Sequence, residues 1–134
     1  MSQSVAIVGV GVVGSRVARQ LAASGISVLV HDVRRDMQMM VAKTLGAQEL
    51  VEITDLRVET TPVVVIATRS SQAAMAKLLL ELGHHVISTS DDVHDTHELL
   101  ALDELARMMG RALVIGATAS PGLSGLLVAE LAAR

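Results

Sequence analysis

The chain contains no cysteine, phenylalanine, tyrosine or tryptophan, and only two of its 134 residues are proline. Without cysteine it has no disulfide bond, no thiol nucleophile and no thiolate metal site, which agrees with a cytoplasmic protein. Without aromatic rings it lacks the platforms on which the bases of single-stranded nucleic acids stack. The net charge is −3 and no basic tract is present, so nucleic acid is not an expected partner.

Long apolar runs and targeting signals are also missing. No unbroken apolar stretch approaches the roughly 20 residues that span a bilayer, and residues 1–4 show no basic or cleavable apolar segment. We therefore expect a cytoplasmic protein with no membrane partner. What the sequence does have is an apolar content of 51%, enough for an aliphatic core in a single domain.

Strand and helix patterns alternate along the chain, which is typical of a parallel sheet covered by helices on both faces. The predicted strands are residues 4–8, 27–31, 48–51, 63–67, 85–89 and 113–115; the predicted helices are residues 13–23, 36–45, a helix capped by Ser70 or Ser71 and ending near Leu82, residues 97–109, and a last helix from Leu123. We expect an α/β fold with a doubly wound, parallel six-stranded sheet of order 3-2-1-4-5-6, in one three-layer domain spanning residues 1–134.

Three glycines link the first strand to the first helix. Gly9, Gly11 and Gly14 form a Gly-x-Gly-x-x-Gly pattern. The first glycine permits a tight turn, the second lets a pyrophosphate approach the backbone, and the third lets helix and strand pack closely. The free N–H groups near Val12 and Val13 would face the phosphates at the positive end of the helix dipole. The pattern predicts a dinucleotide site in a Rossmann-type domain.

Asp32 lies where the second strand ends. A carboxylate at this position accepts hydrogen bonds from the ribose hydroxyls of adenosine and repels a 2′-phosphate, which favours NAD over NADP. Arg34 and Arg35 follow closely, and an arginine here can neutralise a 2′-phosphate or cover the adenine. NADP therefore stays open as the less favoured cofactor.

The expected strand order brings further segments to the same edge of the sheet. Thr68 could hydrogen-bond a nicotinamide ribose, and Arg69 could pair with a phosphate or with an acidic substrate. An equally good interpretation is that Arg69 is simply an exposed arginine in a loop. The residues expected to contact the cofactor are Gly9, Gly11, Val12, Val13, Gly14, Asp32, Val33, Arg34, Ala67, Thr68, Arg69 and Ser90.

A polar segment at residues 91–97 has the composition of a metal site, with three aspartates and two histidines. We expect instead a polar loop in which Asp95 or Thr96 caps the next helix, and no metal. The isolated histidines His31, His84 and His85 are expected to be structural or solvated. No serine–histidine–acid group or carboxylate pair marks a catalytic site, so the catalytic residues stay unknown.

The second half of the chain carries a family resemblance. Residues 83–90 read Gly-His-His-Val-Ile-Ser-Thr-Ser, residues 102–106 read Leu-Asp-Glu-Leu-Ala, and residues 119–127 read Ala-Ser-Pro-Gly-Leu-Ser-Gly-Leu-Leu. In this order, after the glycine pattern, they resemble the N-terminal NAD(P)-binding domain of the saccharopine dehydrogenase-like oxidoreductases. The resemblance implies cofactor positions at Gly9, Gly11, Gly14 and Asp32, and crevice-lining segments at Thr68, Ser90 and Pro121.

The same resemblance implies a last helix that leads into a substrate and dimerisation domain, which the chain, stopping at Arg134, does not contain. Residues 52–61 are also a shorter segment than usual in that family. We therefore expect the cofactor domain of a longer enzyme, with its substrate domain absent, in preference to a small protein that only binds a nucleotide. A homodimer is a further partner that we consider.

The leading interpretation is thus an NAD(P)-binding domain of an oxidoreductase, with hydride transfer in the full enzyme and binding only in the isolated domain. The alternative is a regulatory domain of a transporter or channel that senses NAD or another adenine nucleotide; residues 121–124 argue against it. A domain that binds S-adenosylmethionine is a third option, and the complete glycine pattern disfavours it.

Overall fold

A computed structural model of the chain describes residues 3–118 and 123–133, with side chains for all of these except residues 123–127. Its strands are β1 (Ser4–Val8), β2 (Ser27–His31), β3 (Gln48–Glu49), β4 (Val63–Ile66), β5 (His85–Ser88) and β6 (Leu113–Val114). All neighbouring strands pair in parallel, in the order β3-β2-β1-β4-β5-β6. The predicted doubly wound α/β fold is confirmed.

The centre of the sheet is formed by the two most strongly β-branched strands. Ile7 of β1 and Val64 and Ile66 of β4 are fully buried, because helices cover both faces of these strands. The edge strands β3 and β6 are two residues long and shorter than predicted. Each of these two strands pairs with only one neighbouring strand, so only one side of it is held by inter-strand hydrogen bonds.

Six helices are present in the described residues: α1 (Val12–Ala23), α2 (Arg35–Leu45), α3 (Ala73–Glu81), α4 (Val93–Leu100), α5 (Asp103–Met109) and α6 (Leu123–Ala132), with a short 3-10 helix at Ile53–Asp55. The single helix predicted for residues 97–109 is wrong. The chain forms α4 and α5 instead, because Asp92 caps a helix that begins earlier, and Asp103 and Glu104 sit in the first turn of a second one.

Two apolar layers enclose the sheet. On one face Val10, Ala18, Val30 and Val41 pack among α1, α2 and the strands. On the other face the core includes Leu79 and Leu99, together with the segment that follows β3. The three-layer arrangement follows the sequence prediction.

Some predictions for the end of the chain cannot be compared with the structure. Pro121, which the resemblance places in a crevice-lining segment, lies outside the described residues, as do several side chains of the segment 119–127 that carries the resemblance. In the part of the chain that is described, no helix has both the length and the apolar character needed to cross a membrane.

Candidate functional site

The carboxyl ends of four adjacent strands meet at one edge of the sheet. Val8 is in register with His31 on one side and with Ile66 on the other, and Ile66 is in register with Ser88. The residues that follow these four strands are therefore neighbours in space. They include every position expected to contact the cofactor: residues 9–14, 32–34, 67–69 and 90.

The turn after β1 requires glycine at two positions. Gly9 has a φ of +91°, and a Cβ there would lie 2.8 Å from the carbonyl oxygen of Ala67. A Cβ on Gly14 would lie 1.8 Å from the carbonyl oxygen of Gly9. The turn is held between the end of β4 and the first turn of α1, as the first and third glycines of the pattern predict.

The middle glycine faces open space. A Cβ on Gly11 would meet nothing within 4 Å, which is the unobstructed backbone that a diphosphate needs for a close approach. The amide of Ser15 donates to the carbonyl of Gly11 at 3.0 Å and so begins the hydrogen bonds of α1. The N–H groups of Val12 and Val13 precede that bond and lie at the positive end of the helix dipole. The turn fits a diphosphate.

Asp32, directly after β2, presents a buried carboxylate next to this turn and is only 7% exposed. Its Oδ2 accepts the N–H of Val10 at 2.8 Å, and its Oδ1 accepts the N–H of Arg34 at 2.9 Å. Burial raises the pKa of Asp32, but these backbone hydrogen bonds and the Arg34 side chain outweigh it, so the pKa lies below its ordinary value. The side chain is therefore a carboxylate at neutral pH.

The two residues after Asp32 differ in what they can do. The Nε of Arg34 lies 3.3 Å from Asp32 Oδ1, so this guanidinium is already engaged by the carboxylate. The side chain of Val33 is 92% exposed and adds an apolar surface beside it. A cleft of about 370 Å³ runs from this loop between α1 and α2, with Gly11, Val12, Arg34 and Met37 among its lining residues.

Gln38 is a site residue that the sequence reasoning missed. It is fully buried in α2, and its Oε1 accepts the backbone N–H of Asp32 at 2.9 Å. Its Nε2 donates to the carbonyl of Leu50 at 3.2 Å. Gln38 thus fixes the backbone at the end of β2. A signal was available, since Gln38 shares the inward helical face with Val41 and Ala42.

The predicted residues of the second half of the sheet lie at the same edge. The amide of Ala67 continues the β1–β4 pairing by donating to Val8 at 2.8 Å. Thr68 and Ser90 are half-buried, and the amide of Ser90 donates to the hydroxyl of Ser88 at 3.2 Å. Arg69 is exposed. The edge after β4 and β5 is therefore lined by the hydroxyl groups of Thr68 and Ser90 and by the exposed guanidinium group of Arg69.

Gln72 joins these two strand ends and was also missed. It is 1% exposed, and its Oε1 accepts the hydroxyl of Ser88 at 2.8 Å and the N–H of Thr89 at 3.2 Å. Its Nε2 donates to the carbonyl of Thr68 at 3.0 Å. One buried amide therefore links the loop after β4 to the residues after β5.

The predicted helix caps in this region are wrong. The N-cap of α3 is Gln72, which makes no side-chain cap, and neither Ser70 nor Ser71 takes that place. The cap of α4 is Asp92, whose carboxylate accepts the N–H of Asp95 at 2.8 Å. Asp95 turns toward α3 instead, where its carboxylate accepts hydrogen bonds from three donors at the entrance of that helix.

The remaining polar candidates are structural in the described residues. No group of three or more His, Asp or Glu side chains among them could hold a metal. The Nδ1 of buried His84 lies 2.8 Å from the carbonyl of Thr61, and that of His31 lies 3.0 Å from the carbonyl of Leu50. His85 accepts the N–H of Ala112 at 2.9 Å. These histidines join loops to strands, which agrees with the expectation that they are structural or solvated.

Several solved structures share this fold. GenD2 from gentamicin A biosynthesis, solved in complex with NAD, is 24% identical, with a TM-score of 0.72 over 84% of this chain and 34% of that one. UDP-N-acetylglucosamine 3-dehydrogenase GnnA from Acidithiobacillus ferrooxidans is 24% identical, with a TM-score of 0.70 over 84% and 38%. Saccharopine dehydrogenase (L-Glu forming) from Saccharomyces cerevisiae is 19% identical, with a TM-score of 0.76 over 97% and 30%. The chain thus spans about a third of the length of each of these proteins.

No curated protein sequence matches the chain. A family model does match it: residues 1–74, more than half of the chain, fit the D-isomer specific 2-hydroxyacid dehydrogenase, NAD binding domain. The matched part contains the glycine turn, Asp32 and Gln38, which are the features that fit a dinucleotide. The chain therefore belongs to the family of D-isomer specific 2-hydroxyacid dehydrogenase NAD-binding domains, and its cofactor is NAD.

Proposed function

We propose that this chain is the cofactor domain of a saccharopine dehydrogenase-like oxidoreductase, and that it holds NAD across the edge of the sheet with its adenosine half at β2. The observation that carries the proposal is the carboxylate of Asp32, ionised and anchored beside an open glycine turn. NAD supplies the hydride chemistry when bound. The residues of this chain bind it and orient it.

Each half of the site has a distinct role in this proposal. The amides at the start of α1 bind the diphosphate, and Gly11 leaves room for it. Asp32 accepts the ribose hydroxyls of adenosine, while exposed Val33 adds an apolar surface beside it. Thr68 and Ser90 line the opposite half of the crevice, where the nicotinamide ribose would lie, and Arg69 is free to reach a negatively charged group.

Electrostatics at Asp32 favour NAD over NADP. A 2′-phosphate would approach a carboxylate that is negatively charged at neutral pH, and the two negative charges would repel each other. Arg34, the residue best placed to neutralise such a phosphate, is paired with Asp32 at 3.3 Å. Binding of NADP would require that pair to open, so we expect NADP to bind more weakly.

The finer assignment to the saccharopine dehydrogenase-like group is supported by residues 83–90 and 102–106, which lie outside the matched residues 1–74. We propose that a substrate domain accompanies this one in a longer enzyme, since the structural relatives are roughly two to three times its length. The substrate and the catalytic residues would then belong largely to that domain. Nothing in the comparisons favours the regulatory domain of a transporter or channel.

The test is a calorimetric titration of the 134-residue chain with NAD⁺, NADH, NADP⁺ and S-adenosylmethionine. We expect NADH and NAD⁺ to bind most tightly, and Asp32→Ala to weaken them roughly tenfold or more through loss of charge-assisted hydrogen bonds. Asp36→Ala is the matched control, because Asp36 is an exposed carboxylate in the first turn of α2. Equal affinities of the Asp32→Ala and wild-type chains would refute the proposed role.

A further inference from the structure

The carboxylate of Asp95 is the most heavily hydrogen-bonded charge in the second half of the described sheet edge. Its Oδ1 accepts the hydroxyl of Ser71 at 2.7 Å and the N–H groups of Gln72 and Ala73 at 2.9 and 3.0 Å. Its Oδ2 accepts the Gln72 N–H at 3.0 Å. Asp95 is 3% exposed, so these donors stand in for water around the carboxylate.

The position of Asp95 in the chain makes this arrangement unusual. Asp95 belongs to the first turn of α4, yet it caps α3, the helix that starts from the loop after β4. An N-cap residue ordinarily belongs to the helix that it caps. Here the cap comes from the element that follows β5, so it ties the β4 loop to the β5 loop across the crevice.

The tie continues through Gln72, whose backbone amide Asp95 holds. With its backbone fixed, the buried side chain of Gln72 reaches the carbonyl of Thr68 and the hydroxyl of Ser88. The same Ser88 hydroxyl accepts the N–H of Ser90 at 3.2 Å. Thr68 and Ser90, which line the nicotinamide half of the proposed site, are thus connected to Asp95 through Gln72, and the hydroxyl of Ser90 also interacts directly with the Asp95 carboxylate.

Nothing similar connects Asp95 to the other half of the site. Among the described hydrogen bonds, those of the first half stay within it. Asp32 accepts the N–H groups of Val10 and Arg34, and Gln38 donates to the carbonyl of Leu50. A change at Asp95 should therefore loosen one half of the crevice and leave the other half in place. This asymmetry separates a positioning role from a general effect on folding.

We propose that Asp95 is a positioning residue that, through Gln72, presets the loops after β4 and β5 for the nicotinamide half of NAD. It touches no ligand itself. The place of the nicotinamide in this proposal rests on the proposed function. How the loops after β4 and β5 are held rests on the hydrogen bonds of Asp95 and Gln72 described above. The dinucleotide should lose affinity when Asp95 is replaced, whereas a ligand with only the adenosine and diphosphate half should not.

The experiment compares calorimetric titrations of the wild-type and Asp95→Asn chains with NADH and with ADP, which lacks both the nicotinamide and its ribose. We expect NADH to bind roughly five- to tenfold more weakly to Asp95→Asn, the scale of one or two lost hydrogen bonds. ADP should bind both chains within a factor of about two. Asp91→Asn is the matched control, because Asp91 is an exposed carboxylate in the same loop.

A second variant keeps the result decisive if Asp95→Asn does not fold. Gln72→Met retains the backbone amide that Asp95 holds and removes only the side-chain links to Thr68 and Ser88, so it should produce the same selective loss of NADH affinity. Equal loss of NADH and ADP affinity, or no loss of either, in the folded variants would overturn the proposal. Failure of wild type to bind ADP would instead refute the proposed function.

Discussion

The two halves of the sheet each place an aspartate and a buried glutamine at the site edge, but they use the aspartates differently. In the first half Asp32 accepts three N–H donors, and Gln38 holds its backbone. In the second half Asp95 is saturated by the entrance of α3, and Gln72 carries the connection onward. Asp32 is thus engaged by the loops of the proposed cofactor site, whereas Asp95 is engaged by the entrance of another helix.

The difference shows that residue type and burial alone do not reveal a ligand site. Asp32 and Asp95 are 7% and 3% exposed, and both have a lowered pKa because hydrogen bonds outweigh burial. What separates them is the source of the donors. Those of Asp32 come from the loop that would bind the cofactor, whereas those of Asp95 come from a helix entrance that needs a cap.

The largest loss of stability is expected from Gly14→Ala, which should disrupt the glycine turn in the first half of the site. The added Cβ would lie 1.8 Å from the carbonyl oxygen of Gly9, and backbone cannot move aside as a side chain can. We expect a loss of about 3 kcal/mol or more in the free energy of unfolding, measured by urea denaturation. Gly11→Ala is the control, because its Cβ meets nothing; its stability should stay near wild type. Equal stability of the two variants would contradict this account of the turn.

Removing the buried glutamine of the first half should have the next largest effect. Gln38→Leu leaves the N–H of Asp32 buried without its partner, which costs about 2 kcal/mol in unfolding free energy. NADH affinity should fall as well, because the backbone that carries Asp32 is released. Gln20→Leu, on the exposed face of α1, is the control for the change in side chain. If both variants unfold at the same urea concentration, Gln38 does not have this role.

Acid should weaken the second half through Asp95. Burial raises the pKa of Asp95, but the hydroxyl of Ser90, the amide of Gln72 and their neighbours outweigh it and lower the pKa from 3.8 to about 2. A lowered folded-state pKa stabilises the protein above the unfolded-state value, and that stability is lost as the pH falls from near 4 toward 2. The contribution is roughly 2 kcal/mol.

The measurement for that prediction is the free energy of unfolding of wild type and Asp95→Asn at a series of pH values. The gap between the two proteins should be constant near neutral pH and should narrow below pH 4, as the wild-type carboxylate becomes protonated. Asp32 shifts in the same direction and is present in both proteins, so it cancels in the difference. A gap that stays unchanged down to pH 2 would show that the Asp95 charge does not stabilise the fold.

The sequence predicted the first half of the site well because its signals are local. Gly9, Gly11 and Gly14 lie within one turn, and Asp32 ends a clearly apolar strand, so spacing alone placed them together. The strand order followed from the alternation of elements, and the structure confirms it. The expectation that these residues contact NAD stays a prediction.

The second half could not be predicted in the same way, because it depends on contacts between residues far apart in sequence. Asp95 reaches Ser71 and Gln72 from another helix, and no spacing rule distinguishes that from an ordinary cap of its own helix. Gln72 likewise gives no local sign that it bridges two strands. The break between α4 and α5 was missed for a different reason, since residues 97–109 contain no glycine or proline to mark it.

The smallest effect is expected where a charge in the second half is paired but exposed. Lys77 and Glu81 form an ion pair one turn apart on α3, with their side chains 57% and 45% exposed. Water already solvates both groups well, so Lys77→Ala should change the unfolding free energy by at most about 0.5 kcal/mol, and less in high salt. Urea denaturation at low and high ionic strength measures this. A loss as large as that of Asp95→Asn would contradict this account of the exposed ion pair.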